Sequence, residues 1–253
     1  MKFYIKRVKG DGHCFYRCLY HMSCSDPNVA DVLLEKNKNK DRHMILEDDG
    51  EQFIQLIRMK IASAFLEDED PTFEDKDYMI ASRMFQNALF LYKEMEQKRS
   101  DLAQTYPLLD ECIKRCEHSN DLNNLDDLEE IMDYAYDVIA HSNTYASHIE
   151  LEVTRHLLLD SKILVFVVSQ NTNQTQKETS NKWLRDFIGI HKYLESSNNQ
   201  EDVKMSILIN VDNIHYNIFK VDGSYVFSWL AFHNCIADFL DSYSDSESDS
   251  DKD

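Results

Sequence analysis

The sequence is poor in glycine and proline, with 5 and 3 of them among 253 residues. Loop-rich β-sandwiches and low-complexity chains contain more of both, so this composition favours a helix-rich globular protein. Basic residues are also in deficit, since 27 Lys and Arg face 46 Asp and Glu and leave a formal net charge of −19. Because nucleic-acid binders neutralise phosphates with surplus Lys and Arg, we expect no nucleic-acid partner.

Long apolar stretches are missing as well. The longest continuous apolar run, residues 163–168, is far shorter than the roughly 20 residues that span a bilayer. The N-terminal residues contain no apolar segment of signal-peptide length, and neither end carries a lipidation signal. We therefore expect an intracellular protein, cytoplasmic or nuclear, that has no membrane partner.

The six cysteines form no C-x-x-C pair. In a reducing compartment disulfides are rare, so we expect free thiols. Cys112, Cys116 and His118 have a spacing that would let them meet one metal ion, but a fourth ligand is not evident. The alternative is that both cysteines are small core residues one helical turn apart. We expect neither a metal nor another cofactor.

The acidic charge is concentrated in two segments. Residues 51–140 hold 9 basic and 21 acidic residues, and residues 241–253 hold 1 and 6. In the second segment Ser alternates with Asp and Glu, which predicts a disordered acidic tail. The tail is either a solubilising segment or a substrate for an acid-directed kinase, because phosphorylation would add further negative charge.

Hydrophobic periodicity predicts an α+β architecture in which helices predominate. We expect helices over about 14–23, 51–66, 75–98, 128–139 and 145–159, with another starting at Pro107. We expect strands over 162–168, 205–211, 215–221 and 225–229, and loops over 25–50 and 170–181.

Two glycines mark the first candidate for chemistry. Gly10 and Gly12 bracket Asp11 just before Cys14, which begins a predicted helix. Glycines let the loop turn sharply, the positive end of the helix dipole favours a thiolate, and N–H groups there can hold an oxyanion. The pattern indicates thiol acyl transfer, although an isolated cysteine is more often a buried residue without a catalytic role.

The second candidate lies about 200 residues further along the chain. His215 and Asn217 fall on one predicted strand, where alternate side chains point the same way and lie about 7 Å apart. Asn217 is then placed to bond one imidazole nitrogen and leave the other for Cys14, as in a Cys-His-Asn triad. The alternative is an ordinary strand histidine.

Together these residues resemble the ovarian-tumour (OTU) family of cysteine deubiquitinases. The stretch from Gly10 to Arg17, GDGHCFYR, resembles the nucleophile motif of that family. The stretches 145–151 and 213–217 resemble its second motif and its catalytic-histidine motif, and the three occur in the family's order. The resemblance covers roughly residues 1–66 and 125–240.

The resemblance implies a papain-like fold with a small twisted β-sheet packed between helices. It also implies that Cys14 is the nucleophile and that His215 is the general base that later protonates the leaving amine. Asn217 would orient His215 at a place where many members carry Asp. The catalytic domain would cover 1–240.

The resemblance also implies supporting roles in the nucleophile loop and in the second motif. Asp11 and the amides of Gly12 and His13 would shape the oxyanion loop, with Asp11 as its organiser. Arg17 would tie the helix to its neighbours, and Glu150 would be a structural residue near the substrate channel.

The sequence departs from the family pattern in length. Cys14 and Tyr145 are 131 residues apart, which implies a helical insertion at about 70–125. The aromatic residue at 145 is Tyr instead of the more frequent Trp, and neither change removes a group that catalysis needs.

The function implied is hydrolysis of isopeptide bonds at the C-terminal glycine of ubiquitin. The expected partners are ubiquitin, polyubiquitin chains and other ubiquitin-like modifiers, and the protein is expected to be a monomer. Two alternatives stay open: a catalytically inactive OTU-like module that binds ubiquitin, and an acidic interaction protein whose Cys and His are structural.

Overall fold

The structure is a computed structural model that describes residues 3–34, 50–66, 136, 139–140, 146, 148–159, 161–196, 203–213 and 215–237. The chain forms two compact units, residues 1–57 with 143–253, and residues 58–142. The predicted insertion at 70–125, the Cys112, Cys116 and His118 cluster, and the tail at 241–253 lie outside the described residues.

The first unit is built on a five-stranded mixed sheet. Its strands are β1 (Phe3–Lys6), β2 (Ile163–Gln170), β3 (Lys204–Val211), β4 (His215–Val221) and β5 (Phe227–Ser228). The order is β1-β4-β3-β2, with β5 beside β3. β2 runs parallel to β3, and the other pairs are antiparallel.

The described residues include six helices. They are α1 (Cys14–Ser25), α2 (Pro27–Leu33), α3 (Glu51–Leu66), α4 (His148–Leu159), α5 (Gln176–Ser196) and α6 (229–237). The predicted α+β class is therefore confirmed. None of the described helices combines the length and the apolar character that crossing a bilayer requires.

Helices cover both faces of the sheet in the first unit. On one face, Phe15 of α1 packs edge-on against Tyr216 of β4, with ring centroids 5.3 Å apart. Phe219, three residues along β4, points to the other face and meets Phe187 of α5 at 5.4 Å. The second face carries an apolar core to which α5, α6 and strands β2 to β5 contribute.

The turn between β3 and β4 positions the first residue of β4. Asp212 and Asn213 have φ values of 52° and 62°, a left-handed conformation that Asp and Asn adopt more readily than most residues. The Asp212 carboxylate also accepts hydrogen bonds from the Thr172 amide at 3.0 Å and the Thr172 hydroxyl at 2.6 Å. The turn is thereby tied to the loop that follows β2, and His215 begins β4 from a fixed point.

Two predicted loops were wrong in part. Within 25–50, residues Pro27–Leu33 form α2 because the Asp26 carboxylate caps the helix by accepting from the Asn28 amide at 2.9 Å. Within 170–181, α5 begins at Gln176. Its N-terminus is held by a reciprocal capping box, in which Thr175 and Glu178 each accept a bond from the other's amide.

The last predicted strand was too long. Only Phe227–Ser228 pair with β3, and Trp229 already begins α6.

In the second unit, the buried guanidinium of Arg58 donates to the carbonyl of Ile139 at 3.0 Å.

Candidate active site

Cys14 is the first residue of α1, and its side chain is fully buried. Its Sγ accepts a hydrogen bond from the Tyr216 amide at 3.3 Å. Because Tyr216 directly follows His215, this bond joins the helix that carries the cysteine to the strand that carries the histidine. The structure therefore brings together two sequence motifs that are about 200 residues apart.

Opposing effects set the pKa of the Cys14 thiol. Burial raises the pKa of the Cys14 thiol, and hydrogen bonds from the amides of Tyr216 and Phe15 lower it without outweighing burial. The net shift is opposite to the one predicted from the helix dipole alone. A base is therefore needed to remove the proton before the sulfur can act as a nucleophile.

Asn217 fixes the tautomer of His215. The Asn217 Oδ1 atom accepts a hydrogen bond from the Val8 amide at 2.9 Å and lies 3.1 Å from His215 Nε2. Because a backbone N–H only donates, the Asn217 atom that it contacts is the oxygen. The same oxygen can only accept, so the neutral imidazole carries its proton on Nε2 and has a lone pair on Nδ1.

His215 Nδ1 is buried and has no hydrogen-bond partner among the described residues. It faces the loop that leads to Cys14, since a Cβ built on Gly10 would lie 3.4 Å from Nδ1 and 3.7 Å from Cε1. The absence of a side chain at Gly10 leaves this side of the ring open. The nitrogen suited to accept a proton is thus the one directed toward the nucleophile loop.

Asp11 organises the loop before the nucleophile. Its carboxylate accepts from Arg17 Nη2 at 2.7 Å and from the His13 amide at 3.2 Å, and it lies 3.3 Å from Lys9 Nζ. Partial burial would raise the pKa of Asp11, but these bonds outweigh it and hold the pKa well below its ordinary value. Asp11 is therefore ionised at neutral pH and has no proton to transfer.

Arg17 links this loop to α3. Its Nη2 atom donates both to Asp11 and to Glu51 Oε1 at 2.6 Å. Gly12 has a φ of 84°, which a residue with a side chain rarely adopts. The His13 amide donates to Asp11 at 3.2 Å, and this bond holds the loop in its turn.

Glu150 lies behind the site at the start of α4. It is only 3% exposed, and its Oε1 atom accepts from the Tyr16 hydroxyl at 3.5 Å. Burial, together with the Glu150 charge, raises the pKa of Tyr216 to about 12. Glu150 thus bonds Tyr16, which lies two residues after Cys14, and its charge acts on Tyr216, which follows His215. Glu150 therefore supports the site from its side.

Sequence reasoning missed two residues of the site. Val8 contributes only its amide, and Tyr216 contributes its amide and a packing ring. Gly10, which the rarity of glycine had already marked, contributes space beside His215. Backbone donors such as Val8 leave no signature in side-chain patterns.

Among the described residues, no group of three His, Cys, Asp or Glu side chains is placed to hold a metal ion. No family model matches the chain, and comparison with curated proteins and with solved structures found no match. The geometry of the site is therefore the basis for assigning a function.

Proposed function

We propose that the protein is a cysteine deubiquitinase with an OTU-like, papain-type catalytic domain. One observation carries the proposal: Asn217 and the Val8 amide hold His215 so that its free Nδ1 faces the loop of Cys14. A structural histidine would have no need of an unbonded, buried ring nitrogen, since buried polar atoms are normally paired.

The reaction follows the usual steps of thiol hydrolysis. His215 Nδ1 takes the proton from Cys14, and the sulfur attacks the carbonyl carbon of the isopeptide bond to give a tetrahedral oxyanion. Collapse of this intermediate breaks the C–N bond, and the imidazolium returns the proton to the departing lysine amine. Water then cleaves the thioester at Cys14 and releases the C-terminal carboxylate of ubiquitin.

The substrates proposed are ubiquitin conjugates and polyubiquitin chains, together with other ubiquitin-like modifiers. Their shared feature is a flexible tail that ends in glycine. A glycine reaches a buried thiol more easily than a residue with a bulky side chain does. A panel of diubiquitins of every linkage, incubated with wild type and Cys14→Ala, identifies the preferred bond.

A second candidate is a catalytically inactive ubiquitin-binding module. Two observations favour it: the Cys14 side chain is fully buried, and burial raises the pKa of its thiol. The two candidates differ in whether Cys14 reacts with an electrophile placed at the ubiquitin C-terminus.

An activity-based ubiquitin probe tests both candidates. We expect the probe to label wild type and Cys24→Ala, which removes an exposed free thiol, but not Cys14→Ala. We expect His215→Ala to abolish turnover, and His156→Ala, at an exposed position on α4, to retain it. Ubiquitin binding without labelling would support the inactive module, and unchanged turnover in His215→Ala would refute the triad.

A further inference from the structure

A basic surface lies on the edge of the sheet of this acidic protein. Tyr4 is paired with Lys220 in the antiparallel register of β1 and β4, and Lys6 lies two residues beyond Tyr4. Directly paired and alternate residues share one face of a sheet, so these three side chains project together. Tyr4 is 57% exposed, Lys6 is exposed, and Lys220 is half-buried.

Two aromatic rings complete this surface. His21 of α1 stacks on Tyr225 with centroids 5.0 Å apart and an interplanar angle of 28°. Lys220 Nζ lies 5.3 Å from the centroid of the Tyr225 ring. We call the five residues Tyr4, Lys6, His21, Lys220 and Tyr225 the basic face.

No carboxylate of the described residues neutralises the positive charge of the basic face. Burial, together with the charges of Lys6, Arg17 and Lys220, lowers the pKa of His21 to about 4. Arg17 is bonded to Asp11 and Glu51, whereas no carboxylate among the described residues pairs with Lys6 or Lys220. Two lysines therefore stand unpaired beside a neutral histidine.

We propose that the acidic segment 241–253 of the same chain docks on the basic face. The segment holds 6 acidic residues and 1 basic residue, so its charge complements the two lysines. Its serines alternate with Asp and Glu, and each phosphate would add about −1.5 to −2 charges. Phosphorylation is therefore expected to strengthen docking.

The chain leaves α6 close to the basic face. Cys235 and Ile236, near the end of α6, pack in the apolar core with Val221, whose partner in β1 is Phe3. The next pair along these strands is Tyr4 and Lys220. The docked segment would therefore begin its path beside β1 and β4, on the face opposite Tyr4 and Lys220.

The remaining chain is long enough to reach the other side of the sheet. Val221 faces the core of α5 and α6, whereas Lys220 faces the opposite side, so the segment must pass around β1. In the part of the chain that the structure describes, β1 has no strand on its outer edge. The residues from 238 to 253 extend to about 50 Å, several times the roughly 10 Å between stacked layers.

Docking of this kind is independent of the hydrolase proposal, because it needs neither Cys14 nor ubiquitin. Tethering gives the segment an effective concentration in the millimolar range, so weak charge contacts suffice to keep it bound. The same contacts weaken as salt rises, because the lysines are exposed or half-buried.

A peptide competition with full-length chains tests the proposal. The probe is a fluorescently labelled peptide of residues 241–253, with and without phosphoserine, and the readout is fluorescence anisotropy at low and at high salt. The receptor is a chain whose own tail is neutralised by Asp245→Asn, Glu247→Gln, Asp249→Asn and Asp251→Asn. We expect this chain to bind the peptide at least about tenfold more tightly than wild type, whose own tail competes.

Charge reversal locates the site. In the neutral-tail chain, Lys6→Glu with Lys220→Glu is expected to weaken peptide binding about tenfold or more. Lys177→Glu with Lys192→Glu, two exposed lysines on α5, is the matched control and is expected to leave binding unchanged. Lys6→Glu alone, at the more exposed position, repeats the test if melting curves show that the double variant is unfolded.

Three results would overturn the proposal. They are equal peptide affinity for the wild-type and neutral-tail chains, equal effects of the two pairs of charge reversals, and no peptide binding at low salt. Binding of single-stranded DNA, but not of the peptide, by the neutral-tail chain would also overturn it and assign the basic face to a nucleic acid.

Discussion

Replacement of Asn217 by alanine tests the central feature of the site. The Asn217 side chain is 8% exposed, and its single oxygen accepts from the Val8 amide at 2.9 Å and contacts His215 Nε2 at 3.1 Å. Asn217→Ala removes both contacts at once. The His215 ring keeps its place in β4 but loses the group that determines which nitrogen carries the proton.

The cost in stability follows from the Val8 amide. Val8 is 9% exposed, so its N–H stays buried after the substitution and loses the acceptor that Asn217 provides. An unpaired buried donor costs about 1–3 kcal/mol, so we expect the free energy of unfolding to fall by that amount. Turnover should fall about 10- to 100-fold, part of the 10²- to 10⁴-fold that a positioned general base contributes.

Three measurements separate orientation from stability. Hydrolysis of a fluorogenic ubiquitin C-terminal amide gives kcat and KM, urea denaturation gives the free energy of unfolding, and ¹⁵N NMR of the imidazole gives the tautomer. We expect kcat to fall with KM nearly unchanged, and the His215 Nε2–H signal to lose intensity. A fully folded Asn217→Ala protein with wild-type kcat and an unchanged tautomer would refute the reasoning.

Asn217→Asp is the matched control for this experiment. Aspartate keeps an oxygen acceptor for the Val8 amide and for His215 Nε2, and its charge stabilises the imidazolium that forms during turnover. We therefore expect this variant to retain the tautomer and at least the wild-type kcat. Loss of both would show that the amide NH₂ group matters, which the hydrogen bonds do not predict.

Substitutions at two further positions test the nucleophile loop. Gly10→Ala places a methyl group in ordinary contact with His215 Nδ1, at 3.4 Å, and should be tolerated. The larger side chain of Gly10→Val should displace the ring and lower kcat about tenfold or more, with little change in melting temperature. Equal activity of the two variants would contradict the close approach of Gly10 to His215. Asp11→Asn weakens the bonds to Arg17 and should reduce the free energy of unfolding at pH 7 by about 1–2 kcal/mol. Because the pKa of Asp11 is lowered in the folded state, this stabilisation is present above its ordinary pKa of about 4 and is lost as pH falls further. Urea denaturation at pH 7 and pH 2.5 should thus show a smaller difference at the lower pH, and a difference that does not depend on pH would contradict the assignment.

The elements that the sequence predicted are those with a strong local pattern. The apolar spacing of 51–66 predicted α3, and the strand-like runs 205–211 and 215–221 predicted β3 and β4. In both cases the pattern is produced by the burial of one face, which periodicity measures directly. The packing partners of these elements were not needed to recognise them.

The elements that were missed begin with capping residues in polar surroundings. The N-terminus of α2 is marked by Asp26-Pro27, and that of α5 by the capping box of Thr175 and Glu178. The Asn, Gln and Thr residues of 170–181 nevertheless favoured a loop. A helix N-terminus is polar because its amides need acceptors, so a polar stretch does not by itself exclude a helix. The capping box of Thr175 and Glu178 is the stronger local signal, and it places the start of α5.

The candidate site likewise contains residues that the sequence predicted and a backbone contact that it did not predict. Cys14, His215 and Asn217 have side chains suited to the chemistry and were predicted as a group. Val8 bonds Asn217 across 209 residues of sequence, and this contact depends on the path of the chain from β1 to α1. Such a backbone contact becomes visible only when the fold is known.

The state of Cys14 decides which kind of thiol chemistry the site supports. Burial raises the pKa of the thiol, and Nδ1 of His215 has no hydrogen-bond partner among the described residues. The raised pKa of the thiol disfavours a preformed thiolate at Cys14. The amides of Tyr216 and Phe15 already donate to the sulfur, so they would stabilise the thiolate as soon as it forms. Proton transfer to His215 is then part of the reaction itself, and the orientation of His215 by Asn217 controls that step.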